Sequence, residues 1–286
     1  MRVIDHKRNL KIAISLIYYL VRAIFDTSLR LLGRPRRPRL TILYYHGVTR
    51  GSRQNFARQM QALSRGATVL PASYRGNLAA DQNRKFVAIT FDDAFVSVAE
   101  NGLPELDKYS FHSTIFVPVG WLGQTPGWAL ETGAFGSAEA PELSEVVMSS
   151  EQLQGLNRAL VSLGSHTLTH PSLPDIEPKR AHEEVERSRL LLAELTGQDI
   201  FELSFPYGAH SGSTVALCRA ALYKTVYTIV PEEVDTTTDE LLRGRTKIDP
   251  SDGPLEFFLK FSGAYEWMAY SVALKGALRS MLSAKR

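Results

Sequence analysis

Two short polar motifs in this chain have the residue types needed to bind and use a metal ion. Residues 90–93 read Thr-Phe-Asp-Asp and bring Asp92 beside Asp93, while residues 165–170 hold His166 and His170 four positions apart. One carboxylate and two imidazoles can bind a divalent metal and leave a position for water. The second carboxylate can then accept a proton from that water. The pair of motifs therefore predicts a metal-dependent hydrolase.

Other metal enzymes fit these motifs less well. A zincin protease needs a glutamate directly after the first histidine of its motif, and Thr167 stands there. A non-haem iron oxygenase uses the same ligand types, but its first histidine and its carboxylate are normally close together in sequence. The long separation between Asp93 and His166 disfavours that class.

The sequence between and around the motifs alternates between strand and helix patterns. Strands are predicted at 40–45, 86–91, 113–119, 160–163, 200–205 and 224–230, and helices at 54–65, 97–109, 150–159, 178–196 and 213–222. Such alternation predicts parallel βα units in one α/β domain, a closed or incomplete (β/α) barrel over 40–265. A Gly/Pro/Ala-rich insertion is expected from about 120 to 148.

The polar candidates follow the ends of predicted strands. His46, Asp92, Asp93 and His166 each come just after a strand, and Tyr207 follows the strand at 200–205. Active sites of parallel α/β folds lie at the carboxyl ends of the strands. We therefore expect these side chains to meet at one rim of the barrel.

In order and context, the motifs resemble those of the polysaccharide deacetylase family, which is also called carbohydrate esterase family 4 or the NodB homology domain. Residues 90–93 are similar to its first motif, 165–171 to its second, and 205–208 (Phe-Pro-Tyr-Gly) to its third. The segment 43–48 (Leu-Tyr-Tyr-His-Gly-Val) adds to the likeness. The resemblance covers roughly residues 40–250.

The resemblance implies a fold, a reaction and a set of residue roles. The fold would be a deformed (β/α) barrel of about seven parallel strands, and the activity would be removal of N-acetyl or O-acetyl groups from a polysaccharide or a lipid-linked sugar. Asp92 would be the general base, and Pro206 and Tyr207 would contact the substrate. Asp93, His166 and His170 would bind a divalent metal ion, for which Zn²⁺ is expected.

The chain also departs from the family pattern. Phe205 stands where the family has the arginine that orients the base, and Ala94 replaces the usual glycine after the two aspartates. Neither the late Asp…Trp pair nor the late Leu-x-His that supplies the general acid has a match. Arg243 or Arg245 could supply the missing guanidinium from another strand, and Arg245 is also a candidate substrate contact. His46 is the candidate replacement for the acid.

Two other functions remain open. The chain could be a non-catalytic relative that binds metal and glycan at a membrane, which the missing acid favours and the retained Asp92 opposes. It could also be an amidase that acts on a non-sugar C–N bond, because fold and metal alone do not fix the substrate.

The charge of the chain is concentrated at its ends. Residues 1–40 carry a net charge of +8, while the whole chain carries only +3. No basic face is expected within the barrel, so nucleic acid is not an expected partner. Residues 9–32 predict an amphipathic helix, and 34–39 add a basic linker. We expect this segment either to bind the inner face of the membrane peripherally, with the protein in the cytoplasm, or to pack on the domain.

A transmembrane helix is not expected because charges interrupt the apolar run, and no cleavage site for a signal peptide follows the helix. The predicted organisation is therefore a helix and linker over 1–39, the deacetylase-like domain over 40–265, and a basic C-terminal helix over 266–286.

Overall fold

A computed structural model of the chain describes residues 6–78, 84–130 and 145–270. A parallel sheet of eight strands forms its centre. The strands are β1 (Leu40–Tyr45), β3 (Lys85–Phe91), β4 (Ser113–Val117), β5 (Val161–Ser165), β6 (Glu202–Ser204), β7 (Thr225–Tyr227), β9 (Leu242–Arg243) and β10 (Thr246–Lys247). Their order in the sheet is β10-β1-β3-β4-β5-β6-β7-β9. The sheet curls into a nearly closed barrel, as predicted.

Two further strands join this sheet outside the main path. β2 (Ala67–Val69) pairs with the start of β3, and β8 (Glu233–Val234) runs antiparallel to the start of β1. These two strands were not predicted from the sequence, and neither were β9 and β10. All four contain only two or three residues, too few for a period of two to be visible.

Helices connect the strands and cover the barrel. They are α2 (Arg53–Gly66), α3 (Leu103–Asp107), α4 (Gly127–Leu130), α5 (Ser150–Gln154), α6 (Pro178–Thr196), α7 (Gly212–Ala220) and α8 (Pro254–Phe261). The bounds predicted for α6 are confirmed, because Pro178 at its start and Gly197 after its end (φ 64°) mark them. α5 ends five residues before the prediction, and α8 was not predicted.

The core of the barrel consists of buried strand residues and the inner faces of the helices. Every residue of β1 is buried, and so are all residues of β3 after Lys85. Strands buried on both faces read as continuous apolar runs, which explains why these two were visible in the sequence.

The N-terminal helix α1 (His6–Leu31) packs against the rest of the protein with a mixed face, on which Ile12 and Leu16 accompany polar residues. Its contacts are Trp267 Nε1 to Ser15 Oγ (2.9 Å), Tyr18 Oη to Glu266 (3.0 Å) and Arg22 to Glu233 (2.8 Å). The apolar face points outward, so that Ile17, Val21 and Ile24 are 63%, 62% and 68% exposed. By length and composition alone, an 18-residue stretch of α1 is apolar enough to cross a membrane, with a mean hydropathy of 1.5. The expectation that α1 does not span a membrane stays a prediction.

The proposed division at residues 39 and 265 stays a prediction. Most of the predicted C-terminal helix, residues 271–286, lies outside the described residues.

Candidate active site

Three predicted metal ligands converge at the carboxyl rim of the barrel. Asp93 follows β3, and His166 and His170 follow β5. The Nε2 atoms of His166 and His170 lie 3.7 Å and 3.5 Å from Asp93 Oδ1. All three residues are buried, and their candidate ligand atoms lie within 4.8 Å of one another. The cluster thus has the donor types and spacing of a three-residue divalent metal site.

Left-handed backbone turns aim these side chains at one point. Asp93 and Ala94 have φ values of 67° and 50°, and Thr167 and His170 both have a φ of 66°. Such conformations are unfavourable for residues with a Cβ and cluster at functional sites. The positive φ of Ala94 gives a physical reason why a glycine would suit this position.

A hydrogen bond to the backbone fixes the orientation of the His166 ring. Its Nδ1 lies 2.8 Å from the Ser204 carbonyl oxygen, and a carbonyl can only accept a hydrogen bond. Nδ1 must therefore carry the proton, and Nε2 presents a lone pair to the site. His170 has no such support: its Nδ1 is buried and has no hydrogen-bond partner among the described residues.

Trp128 of α4 closes one side of the cluster. Its Nε1–H donates a hydrogen bond to Asp93 Oδ1 at 3.2 Å. Its ring stacks on His170, with centroids 3.9 Å apart and planes 16° apart, and Trp121 packs edge-on against it. Trp128 thus contacts two of the three predicted ligands. It was not among the site residues predicted from the sequence.

Asp92 lies behind the cluster in a bidentate ion pair with Arg245. Arg245 Nη1 is 2.7 Å from Asp92 Oδ1, and Nη2 is 2.8 Å from Oδ2. The same guanidinium donates to Thr90 Oγ1, Ser204 Oγ and the Thr228 carbonyl. Every nitrogen of Arg245 is therefore occupied by a protein acceptor.

Arg245 reaches Asp92 from the short connection between β9 and β10. Gly244 makes this connection possible, because a Cβ there would lie only 2.3 Å from the Val230 carbonyl oxygen. Arg243 points elsewhere, to the carbonyls of Ala72 and Tyr74. Of the two candidate arginines, the structure brings Arg245 to Asp92. Arg245 is 0% exposed, so its predicted contact with substrate is wrong.

The position of the usual third-motif arginine is filled by an apolar side chain. Phe205 is fully buried and stacks on His210, with ring centroids 5.6 Å apart. The guanidinium and the third motif thus approach the base from different strands in this chain.

The carboxylates and imidazoles of the site have shifted pKa values. Burial raises the pKa of Asp93 well above its usual range, and the neighbouring Asp92 raises it further. Burial alone would raise the pKa of Asp92 as well, but Arg245 and His166 outweigh it, and the pKa lies below its usual range. Burial lowers the pKa of His166, and it lowers that of His170 to about 2.

These shifts describe a cluster that lacks a positive charge. A buried carboxyl and two neutral imidazoles point their acceptor atoms at one another, with Trp128 as the only donor to Asp93 among the described contacts. A divalent cation would satisfy all three acceptors at once. The residues present therefore fit a metal ion.

The remaining candidates lie around the same rim. His46 follows β1 and is half-buried, and burial lowers its pKa to about 4. Tyr207 is 59% exposed, has a φ of 58°, and places its ring edge-on to His170 at 4.9 Å. Pro206 beside it is buried. Tyr207 is thus placed where a substrate could contact it, whereas Pro206 has little surface to offer.

Comparison with known proteins identifies the family. The family model for polysaccharide deacetylase matches residues 79–226, about half of the chain. The chain belongs to the polysaccharide deacetylase family. It is a hydrolase that acts on carbon–nitrogen bonds other than peptide bonds, as the resemblance of its motifs implied.

A curated relative matches most of the length of this chain. YxkH of Bacillus subtilis (strain 168), whose name places it among the polysaccharide deacetylases, is 24% identical over 221 residues. That match covers 74% of this chain and 72% of YxkH.

Two solved structures share the fold. The Streptococcus pyogenes deacetylase PplD, in complex with acetate, has a TM-score of 0.63 at 20% identity and covers 79% of this chain and 99% of its own. IcaB from Ammonifex degensii has a TM-score of 0.63 at 23% identity, and the match covers 80% of this chain and 97% of IcaB.

Proposed function

We propose that this chain is a metal-dependent deacetylase that removes acetyl groups from a polysaccharide or a lipid-linked sugar. N-acetyl groups are the expected target, and O-acetyl groups remain a second one. The observation that carries the proposal is the geometry of two adjacent carboxylates: Asp93 faces His166 and His170, while Asp92 is held by Arg245. Adjacent carboxylates in such different surroundings suit different roles.

Asp93, His166 and His170 would hold the metal, and we propose Zn²⁺ because it accepts imidazole and carboxylate ligands in an open site. When bound, such an ion supplies a Lewis acid that makes water acidic enough to lose a proton near neutral pH. The proton would go to Asp92, which the Arg245 pair keeps ionised and therefore able to accept it.

Arg245 acts as a positioning residue in this proposal. Its guanidinium group donates hydrogen bonds to both carboxylate oxygens of Asp92. The hydroxyl groups of Ser204 and Thr90 accept hydrogen bonds from the same group and hold it in place. Tyr207 would contact the sugar, and His46 would donate a proton to the leaving group. Since a pKa of about 4 leaves His46 neutral at pH 7, it would have to receive a proton within the reaction before donating one.

The Arg245–Asp92 pair also bears on the non-catalytic alternative. A missing arginine favours a relative that binds glycan without hydrolysis, but this chain supplies a guanidinium to Asp92 from β9–β10. A binding protein has no need of such a pair, so we favour hydrolysis.

Acetate release from a panel of N-acetylated and O-acetylated glycans tests the proposal, with a non-sugar N-acetyl amide in the panel to detect an amidase. Asp92→Asn should lower turnover about a hundredfold or more and retain the metal. Asp199→Asn, an exposed substitution before β6, serves as the matched control. Metal-loaded wild-type protein that releases no acetate from any member would favour the non-catalytic alternative.

We further propose that α1 and its basic linker bring the protein to the cytoplasmic face of an anionic membrane. The outward apolar residues support this, since an interfacial helix inserts its apolar face among lipids. The mixed face packs against the rest of the protein, through Ser15 and Arg22. A spanning arrangement would have to break the Arg22–Glu233 ion pair.

Substitution on the outward face tests this membrane contact better than truncation, because deletion of α1 would also uncover its packing partners. Leu20→Ser combined with Ile24→Ser should abolish co-sedimentation with anionic vesicles and leave the fold intact. Leu190→Ser, an exposed leucine on α6, is the matched control. Unchanged sedimentation of the double variant would refute the anchor.

A further inference from the structure

A basic cavity lies between α1, the linker that follows it and the first residues of β1 and β3. Its volume is about 260 Å³, and its lining includes Arg30, Arg37, Arg84 and Lys85. In all, seven arginine or lysine side chains line the cavity against two carboxylates, Asp26 and Glu233. The barrel, the helix and the linker thus each contribute cations to one concave space.

The two carboxylates do not neutralise this charge. Glu233 is already shared by Arg22 at 2.8 Å and Arg36 at 3.6 Å. Arg84 donates to neutral acceptors, Thr68 Oγ1 at 3.1 Å and the Ser64 carbonyl at 3.3 Å. The cavity wall is therefore strongly positive.

Lys85 also lies among more positive than negative side chains. It is the first residue of β3, and its ammonium group lies 5.9 Å from the Tyr19 ring centroid. Burial, and then the neighbouring Arg22, lower its pKa, and Glu233 and Asp26 offset only part of this effect. Seven cations that share two carboxylates in one concave space are suited to an anionic ligand.

Asp26 provides a hydrogen-bond acceptor on the wall of the cavity. It is half-buried and lines the cavity, so its carboxylate offers an acceptor for a ligand hydroxyl among the surrounding cations.

We propose that this cavity binds a phosphate ester that carries a free hydroxyl group, with Lys85 on the phosphate and Asp26 on the hydroxyl. The phosphate could belong to a lipid headgroup or to a soluble phosphorylated glycerol or sugar. Arg84 and the linker arginines add charge around the phosphate.

The cavity is separate from the catalytic rim. Lys85 begins β3, whereas Asp92 and Asp93 follow its last residue, Phe91. Seven residues of extended strand separate the two ends by about 20 Å. Occupation of the cavity therefore does not depend on the deacetylation reaction, and the two can fail independently.

Isothermal titration calorimetry of the full chain with glycerol 3-phosphate, inorganic phosphate and sulfate tests the site. We expect one saturable site, with glycerol 3-phosphate bound more tightly than either inorganic ion. Equal affinity for all three, or several weak sites, would reduce the cavity to a non-specific basic surface and overturn the proposal.

Two substitutions have opposite expected effects. Lys85→Gln should weaken glycerol 3-phosphate binding about tenfold, because it removes a charged donor from the phosphate. It removes a charge that burial already disfavours, so the fold should persist, and acetate release should be unchanged. Lys179→Gln, an exposed residue of α6, is the matched control.

Asp26→Asn should instead strengthen inorganic phosphate binding while removing the preference for the hydroxyl-bearing ester. If Lys85→Gln binds every ligand as tightly as Lys179→Gln does, the cavity is not the site.

Vesicles distinguish the source of the phosphate. If the lipid supplies it, glycerol 3-phosphate should compete with phosphatidylglycerol vesicles for the wild-type chain, and Lys85→Gln should bind these vesicles more weakly. If the source is soluble, the ester should bind without displacing the vesicles. Either result supports the site, and absence of saturable binding in both experiments would overturn it.

Discussion

Arg245 and Asp92, 153 residues apart in the chain, form a bidentate ion pair with nitrogen–oxygen distances of 2.7 and 2.8 Å and no exposed surface on the arginine. The guanidinium also lies over the rings of Tyr44 and Phe116, at 4.7 and 5.3 Å. A planar fork with fixed neighbours holds a carboxylate in one orientation, which a lysine cannot do. The orientation of the proposed base is therefore built into the barrel.

Arg245→Lys should separate this positioning role from mere charge. The ammonium keeps the positive charge beside Asp92 but loses the second hydrogen bond, so we expect acetate release to fall at least about tenfold. Metal content should be unchanged, because Arg245 does not face Asp93. Turnover and metal stoichiometry, measured on the same preparation, check this prediction.

Arg243→Lys is the matched control for this substitution. Arg243 is also buried and binds two backbone carbonyls, so its replacement should lower the free energy of unfolding without lowering turnover per folded molecule.

A rescue experiment adds a gain of function: Phe205→Arg in an Arg245→Met background should restore part of the lost turnover. Wild-type turnover in Arg245→Lys would contradict the positioning role.

The sequence could predict the strands that are buried on both faces, and hence the rim, because they form long apolar runs. The motif residues Asp93, His166 and His170 could be placed together because each follows such a strand. The choice between Arg243 and Arg245 could not be made, since it depends on a break between two strands of two residues each. Trp128 was missed as a site residue because an insertion has no period that indicates where it folds back.

The metal site should depend on each of its three residues. His166→Ala or Asp93→Ala should abolish stoichiometric binding of Zn²⁺, since a site with three protein ligands rarely survives the loss of one. For the wild type, metal at 100 times its Kd should add about 2.7 kcal/mol to the free energy of unfolding. Metal analysis and thermal unfolding with and without the ion check both statements.

His182→Ala is the control for metal binding, because His182 is exposed on α6 and its imidazole lies 3.5 Å from Glu186. Full metal occupancy in either ligand variant would show that the assignment of ligands is wrong.

Trp128→Phe should weaken metal binding while leaving the ligands in place. The phenyl ring can still stack on His170, but it has no N–H for Asp93 Oδ1. Loss of such an outer hydrogen bond typically weakens metal affinity about 10–100-fold. Competition with a chromophoric chelator measures this affinity directly, without any substrate.

Trp121→Phe is its matched control, because Trp121 donates to the Thr169 carbonyl and not to a ligand. Equal affinities in the two variants would restrict Trp128 to a packing role.

The stability of the metal-free protein should fall as the pH is lowered below about 6.5. The folded-state pKa of His46 is about 4, below its ordinary value of 6.5, so the unfolded chain binds more protons within that window. The contribution of His46 is present above pH 6.5 and is lost as the pH falls toward 4, with a slope of about 1 kcal/mol per pH unit. Chemical denaturation across this range should show a shallower slope for His46→Gln, and an identical slope would contradict the lowered pKa.

The role of His46 in turnover depends on the leaving group. An amine must be protonated to leave, whereas an activated acetyl ester departs with little help. If His46 delivers that proton, His46→Gln should depress hydrolysis of N-acetyl substrates about a hundredfold and spare activated esters. Parallel assays of an N-acetylated glycan and an aryl acetate measure the ratio. Equal losses on both substrates would assign His46 to structure or substrate binding, because only a proton donor distinguishes the two leaving groups.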